Sequence, residues 1–423
     1  MADSSTGDMN EPGNASAPAD QAVVGLDDAG DGILEHGGRP VPLAIPGDRV
    51  RRGEGTAVIE PLSANRAEPP CPLFGVCGGC RLQHLGDALY AEWKRGRLLT
   101  AMERQGLAAP VAPMVRSPLA SRRRLTLTAK GGKVGYFARG THDIIDVPDC
   151  PALAPALNAA LPALRDIART AAGQRGEARL VATLCANGID VALAAPKAPK
   201  PQRARKGRKP RVLQPLRILA DDPAIVRVLE GDEILFARET PHVLFGGVPV
   251  ELPPAAFLQA TLEGERALTE AVLAGVGDAP RVFDAFCGLG TFTLPLARRA
   301  SVLAVDGDPP AIAALDAAVR QVSGAKPITV KRRDLMRDPL NPVELNAFDA
   351  VVFDPPRAGA KALADALAAS DVPRIVAVSC EPSTLARDCA ILTAAGYRIE
   401  TITPVDQFVA TAHLEAVAVL RRD

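Results

Sequence analysis

Three groups of residues have types and spacings that could do chemistry. Cys380, in Val378-Ser-Cys-Glu-Pro382, stands where a strand-like run gives way to a helical one. A thiol there is a candidate nucleophile, because the positive end of a helix and partial exposure both favour its thiolate. Cys71, Cys77 and Cys80 form a C-x5-C-x2-C pattern in which Gly78 and Gly79 let a short loop turn its thiols inward. A fourth ligand is needed, and Cys150, on the Pro-bounded turn Val147-Pro-Asp-Cys-Pro151, is the best candidate. Zinc sites usually pair two Cys-x-x-Cys knuckles, whereas iron–sulfur clusters also use a tight trio with a distant cysteine. Spacing therefore leaves iron–sulfur, zinc and no metal all open. In Asp284-Ala-Phe-Cys-Gly-Leu-Gly290, the two glycines allow the backbone to approach a ligand where strand meets helix. Asp306 closes the next strand-like run, placed to accept hydrogen bonds from ribose hydroxyls. The third glycine expected for a pyrophosphate is missing, which favours a nucleoside without phosphates, S-adenosylmethionine, over NAD.

These residues need elements to hold them. Strand-like runs at 281–286, 301–305, 328–332, 350–353 and 374–378 alternate with Ala/Leu-rich helical stretches such as 310–322 and 361–369. That rhythm predicts βαβ units building a parallel sheet. Asp354-Pro-Pro-Arg-Ala-Gly359 then lies at the carboxyl edge of the sheet, where ligands sit, and Cys380 at the tip of the fifth strand. Runs at 397–404 and 414–420 follow each other with no helix between, which predicts an antiparallel pair at the sheet edge. Glu415 opens the second of these. By itself it would be a solvated charge, but it lies near the same crevice. Cys185, Cys287 and Cys389 read as small buried residues.

Upstream, 85–105 has helical periodicity and strands are expected near 124–128 and 132–136. Between 196 and 215 eight Lys and Arg residues are mixed with Pro and Gly, a run that cannot bury itself and reads either as a solvated linker or as an RNA-contacting arm. From Val23 to about Ser63, short apolar stretches alternate with Gly and Pro turns, as in a small β-barrel or sheet. Residues 1–20 read as a disordered tail.

Composition sets limits on all of this. The 423 residues carry 49 Lys+Arg against 49 Asp+Glu, which argues against gripping nucleic acid through bulk charge and leaves that role to local charge. Arg122, Arg123, Arg124 and the 196–215 run are the candidate phosphate contacts. No apolar run is long enough for a membrane span, so an integral membrane protein is excluded. The first residues have neither a basic segment nor an apolar core, so no secretory signal is read and a cytoplasmic chain with reduced thiols is expected.

The combination of Asp284-Ala-Phe-Cys-Gly-Leu-Gly290, Asp354-Pro-Pro-Arg-Ala-Gly359, Ser379-Cys380-Glu-Pro and His413-Leu-Glu415 with the cysteine trio resembles the uracil-5 RNA methyltransferases, which form 5-methyluridine in RNA. The resemblance runs from about residue 23 to the end. It implies an α/β fold in which a Rossmann-like class I methyltransferase domain (251–423) follows a TRAM-like β-barrel RNA-binding module (21–63) and an α+β iron–sulfur middle domain (64–250). It also implies S-adenosyl-L-methionine lined by Gln259, Phe286, Thr291, Asp306, Asp334 and Asp354, and a [4Fe-4S] cluster held by Cys71, Cys77, Cys80 and Cys150. Cys380 would be the nucleophile and Glu415 the base. The family's bacterial 23S rRNA members carry both the barrel and the cluster, and its tRNA enzymes generally lack them, so 23S rRNA is the expected substrate of a monomeric enzyme. A tRNA uracil-5 methyltransferase is the alternative, and a non-catalytic RNA-binding protein on the same fold is the alternative of another class. The chain departs from the family in carrying Asp306 in place of Glu, and Thr291 and Glu381 in place of Asn. The expected chemistry is addition of the Cys380 thiolate to C6 of a uridine that has left its stack, methylation at C5, and removal of the C5 proton by Glu415.

Overall fold

The computed structural model describes residues 20–52, 57–194, 222–231 and 233–422. The tail expected at 1–20, apart from Asp20, and the basic run at 196–215 lie outside those residues. The chain divides into two compact units, Met1–Glu68 with His84–Leu89, and Pro69–Gln83 with Tyr90–Asp423.

The first unit holds an antiparallel sheet of β1 (Asp20–Leu26), β2 (Gly32–Leu34), β3 (Arg49–Arg52) and β4 (Ala57–Glu60), in the order β2-β1-β3-β4. Its small core is Val23, Leu34, Val41, Ala44 and Val50. The buried Asp48 carboxylate accepts from the backbone amides of Ile45 and Ser63 and from the Arg66 guanidinium. A core of this size depends on such a hub to fix its loops.

A helix at Asp87–Glu103, most of it in the second unit, precedes a short strand, β5 (Val115–Arg116). A seven-stranded sheet follows, built from β6 (Arg124–Lys130), β7 (Lys133–Phe137), β8 (Ile144–Asp146), β9 (Glu177–Leu184), β10 (Ile189–Leu193), β11 (Ile225–Glu230) and β12 (Glu233–Ala237). The helix Leu161–Arg175 covers it with Leu164, Ile167, Ala168 and Ala171. A hairpin of β13 (His242–Phe245) and β14 (Val248–Glu251) leads into the C-terminal sheet.

That sheet contains β15 (Arg281–Ala285), β16 (Ser301–Asp306), β17 (Ile328–Arg332), β18 (Ala350–Phe353), β19 (Arg374–Ser379), β20 (Arg398–Asp406) and β21 (Glu415–Arg421), in the order β17-β16-β15-β18-β19-β21-β20-β5. Side chains alternate between its faces, as a pleated strand requires. Phe283, Val351 and Ile375 pack with Leu363, Leu367, Leu385 and Leu392 of two helices on one face. Val282, Val352 and Val376 pack with Leu268, Val272 and Val276 of the helix Leu262–Val276 on the other. The expected antiparallel strands are present, but β21 inserts between β19 and β20, and the edge beyond β20 is taken by β5. Two residues show no period, so this edge strand left no trace in the sequence pattern. Among the described residues no helix is long and apolar enough to cross a membrane.

Candidate active site

The carboxyl ends of β15, β16 and β18 meet at one place. β15 runs into Phe286, which takes a positive φ of 60°, an uncommon conformation for a side chain of that size. Gly288 donates its amide to Asp306 Oδ2 at 2.9 Å, and Asp308 donates to Asp306 Oδ1 at 2.8 Å. Asp306 therefore does more than was expected of it: its carboxylate pins the glycine turn, with lone pairs left for a ribose. Gly290 has φ of +94°, and a Cβ there would lie 2.5 Å from Leu315 Cδ1, so the turn requires glycine. Thr291 is half-buried beside it, and Asp334 is exposed just beyond β17. Asp284 is buried, with Oδ2 accepting from Thr293 Oγ1 and Oδ1 without a hydrogen-bond partner among the described residues. Burial, opposed by the Thr293 hydrogen bond and reinforced by Asp354 and Asp306, pushes its carboxyl up to about 7.

The register of β19 against β21 brings Cys380 and Glu415 together. Ser379, the last residue of β19, pairs with Ala416, so Cys380 and Glu415 are the next residues along the two chains, and the Glu415 carboxylate acts electrostatically on the Cys380 thiol. Cys380 is partly buried, and Glu415, expected at the strand's edge, is only 3% exposed. Glu415 Oε1 accepts from Gln407 Nε2 at 3.0 Å, while its buried Oε2 has no partner among the described residues. Burial, with Asp354 adding to it, raises the Glu415 carboxyl to about 8.

The expected low thiol pKa of Cys380 is corrected here. Burial and then the Glu415 and Asp354 carboxylates push it up to about 11, against a smaller opposing pull from Arg357. The helix Pro382–Ala394 begins beside the thiol, yet burial and the two carboxylates set an upward direction. Asp354 follows β18, and burial raises its carboxyl to about 7 despite a hydrogen bond from Gln259 Nε2 at 3.1 Å. Arg357 lies 3.3 Å from the His413 ring nitrogens, so the DPPR turn and the loop before β21 face each other.

Two anchors hold the loop that joins β20 to Glu415. The fully buried Lys94, on the helix Asp87–Glu103, pairs with Asp406 and donates to the carbonyls of Phe408 (3.2 Å) and His413 (2.8 Å). Tyr90 donates to Asp406 at 2.6 Å and accepts from the Ala410 amide. From the cysteine segment, Arg81 and Leu82 donate their amides to the Ala410 carbonyl. Of the three arginines expected to meet phosphate, Arg123 is excluded. It is 2% exposed, and its guanidinium donates to the Gln259 carbonyl at 2.8 Å and pairs with Glu265.

Cys71, Cys77, Cys80 and Cys150 line one cavity of about 400 Å³, walled mainly by apolar groups including Phe74, Tyr136, Phe257 and Phe408. Burial raises the thiols of Cys77, Cys80 and Cys150, that of Cys80 to about 11, and neighbouring cysteines push the same way. Among the described residues no three Cys, His or carboxylate groups converge closely enough to hold a single ion. Cys185, Cys287 and Cys389 are buried apart from this cavity's lining.

Residues 257–423 match the family model of the tRNA (uracil-5-)-methyltransferases. An RNA methyltransferase of Brucella suis is 44% identical over 405 residues, which is 93% of this chain and 95% of its own. A 23S rRNA (uracil(1939)-C(5))-methyltransferase of Pectobacterium atrosepticum is 32% identical across 95% of this chain and 93% of its own. Among solved structures, a Pyrococcus abyssi tRNA (uracil-54, C5)-methyltransferase in complex with S-adenosyl-L-homocysteine superposes with a TM-score of 0.72. It covers 95% of this chain and 99% of its own at 24% identity, a likeness of fold.

Proposed function

We propose a reaction from one premise: the chain belongs to the RNA uracil-5 methyltransferase family. The site best supports transfer of a methyl group from S-adenosyl-L-methionine to C5 of a uridine, through a covalent bond between Cys380 and C6. The observation that carries this reading is a thiol and a buried carboxylate that interact at adjoining strand ends, Cys380 and Glu415, the latter with one oxygen unpartnered among the described residues.

C5 of uracil is a poor nucleophile. After losing its proton to solvent, Cys380 Sγ adds to C6, and the displaced electron pair makes C5 an enolate carbon that can take a methyl group. When bound, S-adenosylmethionine supplies that methyl on a sulfonium cation. Glu415 Oε2 then accepts the C5 proton, the C5–C6 double bond re-forms, and Cys380 leaves as thiolate. Gln259, Phe286, Thr291, Asp306, Asp334 and Asp354 are proposed to line the cofactor site, on the strength of their positions around the carboxyl ends of β15 to β18. The buried Asp284 Oδ1, unpartnered among the described residues, adds a further polar atom to that region.

The four-cysteine cavity is proposed to hold a [4Fe-4S] cluster. A four-iron cube takes one thiolate at each iron and needs its sulfurs spread wider than a tetrahedral zinc does. The four thiols that would take those irons line a single cavity. The N-terminal sheet, with Arg49 and Arg51 exposed on β3, is proposed as an RNA-binding module.

The proposed RNA is 23S rRNA, on 32% identity across 95% of this chain to a 23S rRNA methyltransferase. A tRNA substrate is the second reading, because a tRNA enzyme shares the fold over 95% of this chain. Mapping 5-methyluridine in both RNAs from a strain lacking the gene separates them. RNA with 5-fluorouridine at the target cannot lose its C5 substituent to Glu415 and should trap a protein–RNA adduct through Cys380. No adduct, together with full activity in Cys380→Ala, would overturn the mechanism.

A further inference from the structure

Gln407 is linked to both carboxylates of the site, to Glu415 directly and to Asp354 through Gln259. It is 2% exposed, and every polar atom of its amide is committed. The Ala260 backbone amide is 2.7 Å from Oε1. A backbone N–H can only donate, so the atom facing it must be the oxygen, and this settles which way the Gln407 amide points. Nε2 then donates twice, to Gln259 Oε1 at 2.6 Å and to Glu415 Oε1 at 3.0 Å. With its oxygen taken, Gln259 must turn its own Nε2 outward, where it donates to Asp354 Oδ2 at 3.1 Å. A single backbone amide thus sets the polarity of a chain that runs from Ala260 through two glutamines to both carboxylates.

The packing holds this chain in place. Gly264, in the first turn of the helix Leu262–Val276, has no Cβ, and an added one would lie 2.5 Å from Gln407 Cβ. The buried Arg123 guanidinium holds the Gln259 carbonyl, and so fixes the loop segment that supplies the Ala260 amide.

Resting on the reaction proposed above, we infer that Gln407 is a positioning residue that assigns the two oxygens of Glu415 different tasks. Oε1 is obliged to accept from Gln407 and cannot carry a proton along that line. Oε2 is buried, free of any partner among the described residues, and is the oxygen left to take the C5 proton. The same donor also favours the charged form of Glu415. The charged or titratable groups that act on Glu415 are Asp354 and Arg357, and Cys380 senses it in return.

The test compares the wild type with Gln407→Met, which keeps the volume and removes both donors. Bulk RNA from a strain lacking the gene, tritiated at uracil C5, is the substrate, and tritium release and covalent protein–RNA adduct are followed from pH 6.5 to 9.5. Loss of a hydrogen bond to a charged group slows the step that uses it by roughly tenfold to a hundredfold. Gln407→Met should therefore release tritium at least about tenfold more slowly at saturating cofactor, move the rising limb of the pH profile upward, and accumulate adduct. The KM for S-adenosylmethionine should stay near the wild-type value. In a Glu415→Gln background Gln407→Met should add no further slowing, an outcome that general damage to the fold would not produce. A Gln407→Met enzyme with wild-type tritium release and pH profile would overturn the inference, as would an equal additional loss in the Glu415→Gln background. If Gln407→Met fails to fold, Gly264→Ala, which displaces Gln407 without removing it, carries the same expected upward pH shift. A wild-type enzyme that forms no adduct at all would instead overturn the underlying reaction.

Discussion

Glu415→Gln should make Cys380 more reactive toward a small alkylating agent while cutting turnover to a slow but measurable residual rate. In the free enzyme the thiol stands at about 11, against 9.0 for an unperturbed cysteine, because of burial first and then the Glu415 and Asp354 carboxylates. At pH 8 a rise of that size cuts the thiolate fraction by about a hundredfold. The more basic thiolate is intrinsically more nucleophilic by roughly eightfold at a Brønsted slope of about 0.45, so the net slowing is about tenfold relative to an ordinary cysteine. Glu415 contributes only where it is charged, and its own carboxyl is raised to about 8. Below that pH it is protonated and replacing it changes little; above it, the substitution removes a negative charge that acts on the thiol. The ratio of alkylation rates, Glu415→Gln over wild type, should therefore be near one at pH 6.5 and climb through pH 8 to 9.5. Burial remains in the variant, so the thiol moves toward 9.0 without reaching it. The measurement is mass-spectrometric quantification of iodoacetamide on the Cys380 peptide over that range. A ratio that stays flat with pH, or a wild-type profile that levels off at or below pH 9, would refute the electrostatic account.

S-adenosylmethionine should accelerate the same alkylation and S-adenosylhomocysteine should not, since only the former brings a cation that favours the thiolate; equal effects of the two would count against a charge-based activation. Lys94→Met should destabilise the protein by about 3 kcal/mol, because the buried Asp406 keeps only the Tyr90 hydrogen bond and the more distant Arg116 at 4.0 Å, and Lys94→Met with Asp406→Asn should recover most of that in urea denaturation. Anaerobically purified protein should contain iron and inorganic sulfide, both lost on substituting Cys71 or Cys150 by Ser, whereas stoichiometric zinc would overturn the cluster assignment.

The sequence made the parallel strands legible because each buries two faces and reads as an apolar run, and the helices between them carry their own period. Cys380 and the glycine turn stood out because strand ends are where such a sheet presents chemistry, whereas Glu415 by itself read as a solvated charge and gained a role only through the family resemblance. What escaped was whatever depends on two distant segments meeting. Arg123 reads as one of three adjacent cations, yet it alone is buried, because β6 starts against the Gln259 segment and Glu265 waits there to neutralise it. Gln407 follows an acidic residue at the end of β20 and shows no periodicity that marks it; its role exists only once Ala260, Gln259 and Glu415 surround it. The thiol of Cys380 shows the deeper reason. Its helix terminus was visible along the chain and argued for a low pKa, while the burial and the two carboxylates that reverse the sign come from β18 and β21, which reach it only through the fold. The free site therefore holds Cys380, Glu415, Asp354 and Asp284 all biased toward their neutral forms, and under the proposed reaction a sulfonium bound beside them would favour the charged forms of the thiol and of Glu415.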